Sequence, residues 1–435
     1  MISNLEMMQK DLDYIWHPCT QMKDHETLPI IPIKSAKGIY LYDFDGNRYI
    51  DAISSWWVNL FGHSNEYINS KLKEQTEKLE HVLLAGFTHE GAVELAQRVV
   101  KITPKGLEKI FFADNGSSAI EVALKMSYHY HKNQGNKKHI FLSLTNSYHG
   151  ETIGALSVGA VKLYKDTYKP LLISNMQTPV PTDDTIESAK EALKELEEIL
   201  QKHGKYISAF IVEPLIQGAG GMHFYHPYYL QEARKLTKEY NIHLIADEIM
   251  TGFGRSGTMF AVEQAKITPD FMALSKGLTG GYMPLSLIVT TNEIYSAFYC
   301  DYIEYKAFLH SHSYTGNPLA CSCALATLDI FENKPILQNN IKKSKLMEHL
   351  LQKFKSLPNV KSTRVKGMIG AITLIDYPIE KRVGLEVYKY GLKNGVLLRP
   401  LGNVIYFMPP YIIEEKEIEY MIDTAYQAIL QLPVK

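Results

Sequence analysis

Ile242-His243-Leu244-Ile245-Ala246-Asp247-Glu248 is an apolar run that ends in two carboxylates. A run with no polar alternation reads as a strand buried on both faces, as in a parallel sheet covered by helices. Five further runs bounded by turn residues have the same character: 109–113, 139–144, 209–212, 271–274 and 285–290. Between them, 185–202 and 227–240 carry apolar residues at helical spacing and are long enough to be crossover helices of βαβ units. The central region, 62–333, therefore reads as a large α/β domain with a mostly parallel sheet. The ends differ: 38–51 reads as a hairpin around Asp45-Gly46, and 365–410 as short strands with one helix between them. The two ends, 1–61 and 334–435, are expected to combine into a smaller α+β domain.

Bulk properties agree with this division. A chain of 435 residues with 46% hydrophobic content can bury two sizeable cores. The formal net charge is -1 and there is no basic block or acidic tail, so nothing asks for nucleic acid or anionic lipid, and small-molecule substrates are expected. Residues 1–10 lack the basic start and apolar run of a secretory segment, and no run reaches the roughly 20 apolar residues of a membrane helix. Cys19, Cys300, Cys321 and Cys323 are too few and too unevenly spaced for a disulfide framework or a zinc ribbon. A cytoplasmic, metal-free protein is the expectation.

Four stretches carry chemistry. In Phe111-Phe112-Ala113-Asp114-Asn115-Gly116-Ser117-Ser118 a strand runs into a helix start, where free N–H groups, hydroxyls and the helix dipole can receive a phosphate. The plainer reading makes Ser117 or Ser118 a helix cap. Asp247 and Glu248 stand at a strand's carboxyl end, where open α/β sheets place ligands. A buried acid there needs a cationic partner, and a protonated pyridine nitrogen is one; capping the next helix is the alternative. In Asp270-Phe271-Met272-Ala273-Leu274-Ser275-Lys276-Gly277 a lysine leaves an apolar run. Most lysines sit on solvated surfaces, but desolvation at a strand end lowers the ammonium pKa and frees the amine to form a Schiff base. Tyr148-His149-Gly150 brings an aromatic ring to the same sheet edge, either to cover a flat heterocycle or simply to fill the core. His149, His310 and His312 have no carboxylate at metal-ligand spacing, and Gly218-Ala219-Gly220-Gly221 lacks the strand-to-helix setting of a dinucleotide loop. A phosphate cradle, a planar stacker, a ring-nitrogen carboxylate and an amine nucleophile on successive strand ends point together to a pyridoxal cofactor.

With these residues in view, the sequence resembles the class III aminotransferases of fold type I over essentially its whole length. The stretches that carry the resemblance include Ala113-Asp114-Asn115-Gly116-Ser117, Tyr148-His149-Gly150, Ala246-Asp247-Glu248, Thr251-Gly252-Phe253-Gly254-Arg255, Ser275-Lys276 and Gly316-Asn317-Pro318. Trp16-His17-Pro18, Ser54-Ser55-Trp56-Trp57 and Met408-Pro409-Pro410-Tyr411 look most like the branch that aminates 8-amino-7-oxononanoate in biotin biosynthesis. The resemblance implies a seven-stranded sheet and pyridoxal 5′-phosphate as cofactor. It implies that Lys276 carries the cofactor covalently, Asp247 binds the pyridine nitrogen, Gly116 and Ser117 hold the phosphate and Tyr148 covers the ring. Trp56, Trp57 and Arg399, with Ser311, Tyr148 and Lys276, would line the substrate site. Ser311, His312 and Ser313 would belong to a loop that completes the phosphate site of a neighbouring subunit, making a homodimer the active unit.

Three departures from the family pattern stand out. Cys19 occupies a substrate-recognition position where many members carry a tyrosine, Glu151 replaces a commoner aspartate, and Ser311-His312-Ser313 differs from the usual loop. The amino donor implied is S-adenosyl-L-methionine or lysine, in a ping-pong cycle that yields 7,8-diaminononanoate. Rival readings are another class III activity, such as an ω-amino acid, ornithine or acetylornithine aminotransferase or an aminomutase, and a non-catalytic protein that kept the fold. Paired tryptophans favour an aliphatic acceptor, and Lys276 together with Asp247 favours an enzyme.

Overall fold

The apolar runs become strands of one seven-stranded sheet. The structure is a computed structural model and describes residues 2–434. In chain order the strands are β1 (Lys109–Ala113), β2 (Ile140–Leu144), β3 (Asn175–Thr178), β4 (Ile207–Val212), β5 (His243–Asp247), β6 (Phe271–Leu274) and β7 (Ser286–Thr290). They lie side by side as β1-β7-β6-β5-β4-β2-β3, all parallel except β7, which runs antiparallel to both neighbours. Strands β4 to β7 are buried at every residue, which is why their sequences show continuous apolar runs. The exception is β3, Asn-Met-Gln-Thr, an edge strand with only Thr178 buried and no apolar run to announce it.

Helices cover the sheet. Helix α1 (Gly116–Asn133) buries Ala119, Ile120, Val122, Ala123 and Leu124 against the strands. Helices α2 (Ile186–His203) and α3 (Pro227–Glu239) follow as crossovers. Among the described residues no helix is long and apolar enough to cross a membrane.

The chain divides into two compact units, Tyr67–Ile341 and a second made from both chain ends, Met1–Glu66 with Lys342–Lys435. The second contains the hairpin Tyr40–Asp43 with Arg48–Ile50, joined by Ile33–Lys37 as a third antiparallel strand. Gly46 turns the hairpin at φ +90, while the Asp43 carboxylate accepts the Asp45 and Asn47 N–H groups at 3.1 and 2.8 Å. Val360–Lys366, Ile369–Leu374 and Val404–Phe407 form another antiparallel sheet, with the helix Val383–Lys393 inserted before its last strand.

One buried polar cluster in the larger unit has a consequence for stability. His131 and His243 stack at 4.5 Å between centroids; His131 Nε2 lies 3.0 Å from the Ser208 carbonyl, and His243 Nδ1 lies 2.9 Å from Ser127 Oγ. Burial pushes His131 down to about 4 and His243 down to about 3. Both are neutral when folded at pH 7, but in an unfolded chain they protonate near 6.5. Their stabilising contribution is therefore complete above 6.5 and is lost as pH falls toward 4 and 3. Thermal midpoints measured from pH 7 to pH 4 are expected to fall, and a His243→Asn variant, which cannot take up that proton, is expected to show a shallower fall. Equal slopes would contradict this assignment.

Candidate active site

In the larger unit the candidate side chains gather at the carboxyl ends of β2, β4, β5 and β6. Lys276 follows β6 in a short turn (Lys276–Thr279) with φ +46, a left-handed conformation that a non-glycine residue adopts only when its surroundings impose it. Its side chain is partly accessible yet hemmed in by protein. Desolvation pulls the amine from 10.5 down to about 8, against the opposing pull of Asp247 and Glu213. An amine at that value holds a substantial neutral, nucleophilic fraction near neutrality.

Asp247 ends β5 and is buried. His149 Nδ1 donates to its Oδ2 at 2.8 Å, and the Ile249 N–H donates to its Oδ1 at 3.2 Å. His149 is itself buried, and its Nε2 has no hydrogen-bond partner among the described residues. Next along the sheet, Glu213 follows β4, where its two carboxylate oxygens accept the Tyr148 N–H at 2.9 Å and the Gly218 N–H at 2.8 Å. Burial pushes Glu213 up to about 7. Glu213 thus anchors the backbone of the Tyr148-His149 loop, and His149 in turn orients Asp247. Neighbouring Glu248 is structural: it accepts the Thr251 hydroxyl and, at 2.8 Å, the Val262 N–H.

The loop also closes on the start of α1. A Cβ on Gly150 would fall 2.0 Å from Ser117 Oγ, so only glycine, here at φ +125, lets the two segments touch. Ser117 Oγ accepts the Glu151 N–H at 3.3 Å. The helix cap is Asn115, whose side chain accepts the Ser118 N–H at 3.0 Å, so neither Ser117 nor Ser118 plays the capping part that the sequence also allowed. The Gly116 and Ser117 N–H groups precede the first in-helix bond and remain available at the positive end of the dipole. Tyr148 is half-buried, meets Tyr164 edge-to-face at 5.6 Å and donates its hydroxyl to Glu151 at 3.1 Å. The Glu151 departure is therefore a direct partner of Tyr148.

Ser311 and Ser313 are exposed and His312 is half-buried, in a turn where the His312 carbonyl accepts the Thr315 hydroxyl at 2.8 Å. The turn leads into the helix Pro318–Asn333, capped by Asn317.

Within the smaller unit, the two tryptophans part company. Ser54, Ser55, Trp56 and Trp57 all have positive φ, at 52, 45, 72 and 76. Trp57 turns into the core, 5% exposed, where its Nε1 donates to the Tyr406 hydroxyl at 3.0 Å. Trp56 stays 41% exposed, and the Arg399 guanidinium lies over its ring at 4.8 Å from the centroid. Among the described residues no carboxylate pairs with Arg399. Cys19 is exposed at φ +51.

Residues 20–429 match the family described as aminotransferase class-III. This chain belongs to the class III aminotransferases. The chain is 57% identical over 416 residues to the adenosylmethionine-8-amino-7-oxononanoate aminotransferase of Helicobacter pylori, covering 94% of each. The crystal structure of the enzyme of that name from Methanocaldococcus jannaschii is similar with a TM-score of 0.94 and 40% identity, covering 98% of each chain. An omega transaminase from Pseudomonas jessenii, solved in complex with PMP, gives a TM-score of 0.91 at 28% identity over 97% of each chain.

Sequence reading identified the ends of β5 and β6 in this class III aminotransferase but missed the two groups that support them. In the sequence His149 stands beside Tyr148 without metal-ligand spacing, and neither it nor Glu213 is marked as a partner of the strand-end groups. A signal existed for Glu213, since a carboxylate directly after the apolar run of β4 repeats the pattern seen at Asp247.

Proposed function

We propose that this class III aminotransferase holds pyridoxal 5′-phosphate and moves an amino group from S-adenosyl-L-methionine to 8-amino-7-oxononanoate, forming 7,8-diaminononanoate in biotin biosynthesis. The observation that carries the reading is Lys276, a desolvated amine at the end of β6, beside the Asp247–His149 pair at the end of β5. The donor set fits the cofactor. Gly116 and Ser117 N–H groups suit its phosphate, buried anionic Asp247 suits its ring nitrogen, and Tyr148 suits its face. Bound there, the cofactor supplies an aldehyde carbon for amines and a ring that stores the charge left when a proton departs.

The chain's own residues do the rest. Lys276 Nζ would take the proton from the donor's α-carbon, and in the second half-reaction the same amine would deliver a proton to the acceptor's former ketone carbon, so that one carbon loses a proton and the other gains one. Asp247, held by His149, keeps a fixed negative charge against the ring nitrogen. Arg399, its guanidinium over the face of Trp56 and in no ion pair among the described residues, pairs with the acceptor's carboxylate, while Trp56 covers the alkyl chain. The exposed Ser311-His312-Ser313 turn suits a homodimer in which each copy completes its neighbour's phosphate site, working in the cytoplasm. The names borne by the relatives support S-adenosyl-L-methionine as donor over lysine.

With the acceptor absent, S-adenosyl-L-methionine is expected to discharge the yellow colour of the holoenzyme in one turnover, and added 8-amino-7-oxononanoate to restore it. Discharge by ornithine or 4-aminobutyrate, but by neither S-adenosyl-L-methionine nor lysine, would overturn the substrate assignment.

A further inference from the structure

Four consecutive residues without a glycine, Ser54 to Trp57, sit in the left-handed region. L-residues avoid that region because Cβ crowds the following carbonyl oxygen, so a run of four persists only where neighbouring groups hold it. At Ser55, inside the run, two restraints come from one side chain. Asp51 is fully buried; its Oδ1 accepts the Ser55 N–H at 2.8 Å and its Oδ2 accepts the Ser55 hydroxyl at 2.7 Å. His63 Nε2 donates to the same Oδ2 at 2.9 Å. The opposite ring nitrogen, Nδ1, faces the Asn59 amide nitrogen at 3.3 Å, which fixes the tautomer that leaves the proton on Nε2. Two further bonds close the turn: Ser54 Oγ donates to the Met408 carbonyl at 2.7 Å, and the Trp57 N–H donates to the Ile53 carbonyl at 2.8 Å.

The consequence lies at Trp56. The turn sends Trp57 inward and leaves Trp56 outward, against Arg399. With ordinary right-handed or extended backbone over these positions, the two indoles would leave Cα in other directions and the Trp56 ring would not lie under the guanidinium. We infer that Asp51 is a positioning residue that, with His63, locks Ser54–Trp57 in its left-handed turn and thereby sets the Trp56–Arg399 pair that receives the carboxylate-bearing acceptor. The inference rests on the substrate role proposed for Arg399. Asp51 touches neither partner of the pair; it acts through Ser55.

The test is a comparison of steady-state constants in the holoenzyme for Asp51→Asn, Ser55→Ala and Arg399→Ala. An asparagine keeps the size of Asp51 but loses the charge and cannot accept at both positions. Asp51→Asn is expected to raise KM for the acceptor about tenfold, the effect of losing one charge-assisted hydrogen bond, while kcat changes less than about twofold. Ser55→Ala keeps the N–H bond and loses only the hydroxyl, so about a threefold rise is expected, and this variant carries the test if Asp51→Asn does not fold. Adding Ser55→Gly to Asp51→Asn should restore part of the KM, because glycine adopts positive φ without the steric cost. If Arg399→Ala raises the acceptor KM while Asp51→Asn and Ser55→Ala lower only the thermal midpoint, the positioning role is overturned and the function stands. If Arg399→Ala itself leaves that KM unchanged, the substrate reading fails first.

Discussion

Replacing Lys276 by alanine is expected to reduce transamination by about 10⁴-fold, the upper end of what a positioned proton-transfer group contributes. The size follows from the absence of a substitute. The end of β6 presents one amine, drawn down to about 8 by desolvation, while the charged groups that pull against that shift, Asp247 and Glu213, are carboxylates. Neither can attach an aldehyde, and Asp247 is already bonded to His149 and the Ile249 N–H. The Gly116 and Ser117 N–H groups are untouched by the change, so the variant should still bind the cofactor, now without the covalent link. Small primary amines added to the solution should restore part of the rate by entering the volume the side chain vacates. Full activity in the variant would sink the assignment of Lys276, and a rate that no amine improves would mean that the lysine serves only the fold.

The second large effect is expected at Asp247. Asp247→Asn keeps the shape and the contact with His149 but removes the buried negative charge. Breaking a buried ion pair by taking away one partner costs about 3–5 kcal/mol, roughly a hundredfold to several thousandfold at 1.4 kcal/mol per tenfold. That loss should fall on both half-reactions alike, because the same ring serves donor and acceptor. Glu248→Gln supplies the contrast. Its carboxylate belongs to Thr251 and the Val262 N–H, so this change should lower the thermal midpoint and leave the rate per folded molecule within about threefold. Equal losses of rate at 247 and 248 would mean that the two carboxylates do not divide the work as their hydrogen bonds indicate.

The parts of this site that the sequence disclosed are those tied to local pattern. A strand buried on both faces must be apolar throughout, so Asp247 and Lys276 stand out as polar residues at the exits of β5 and β6. The edge strand β3 has no such constraint, and Asn-Met-Gln-Thr looks like a loop. The helix start was legible, but its cap was not, since Asn115, Ser117 and Ser118 are all good capping residues and only the fold selects among them. Contacts across long stretches of chain left no local trace: His149 meets Asp247 98 residues away, and Glu213 meets the Tyr148 N–H 65 residues away. The turn at Ser54–Trp57 was hidden for a different reason. Positive φ is ordinarily marked by glycine or asparagine, and here four other residues are held there by Asp51, Ser54 Oγ and the segment ending at Met408.

The measurement that bears most directly on the central claim is reductive trapping of the holoenzyme. Borohydride treatment followed by proteolysis and mass spectrometry should find the cofactor's mass fixed on the peptide containing Ser275-Lys276-Gly277, in stoichiometric yield and on no other lysine. A chain that retains no cofactor mass after reduction, or carries it on a different lysine with Lys276 unmodified, would contradict the account.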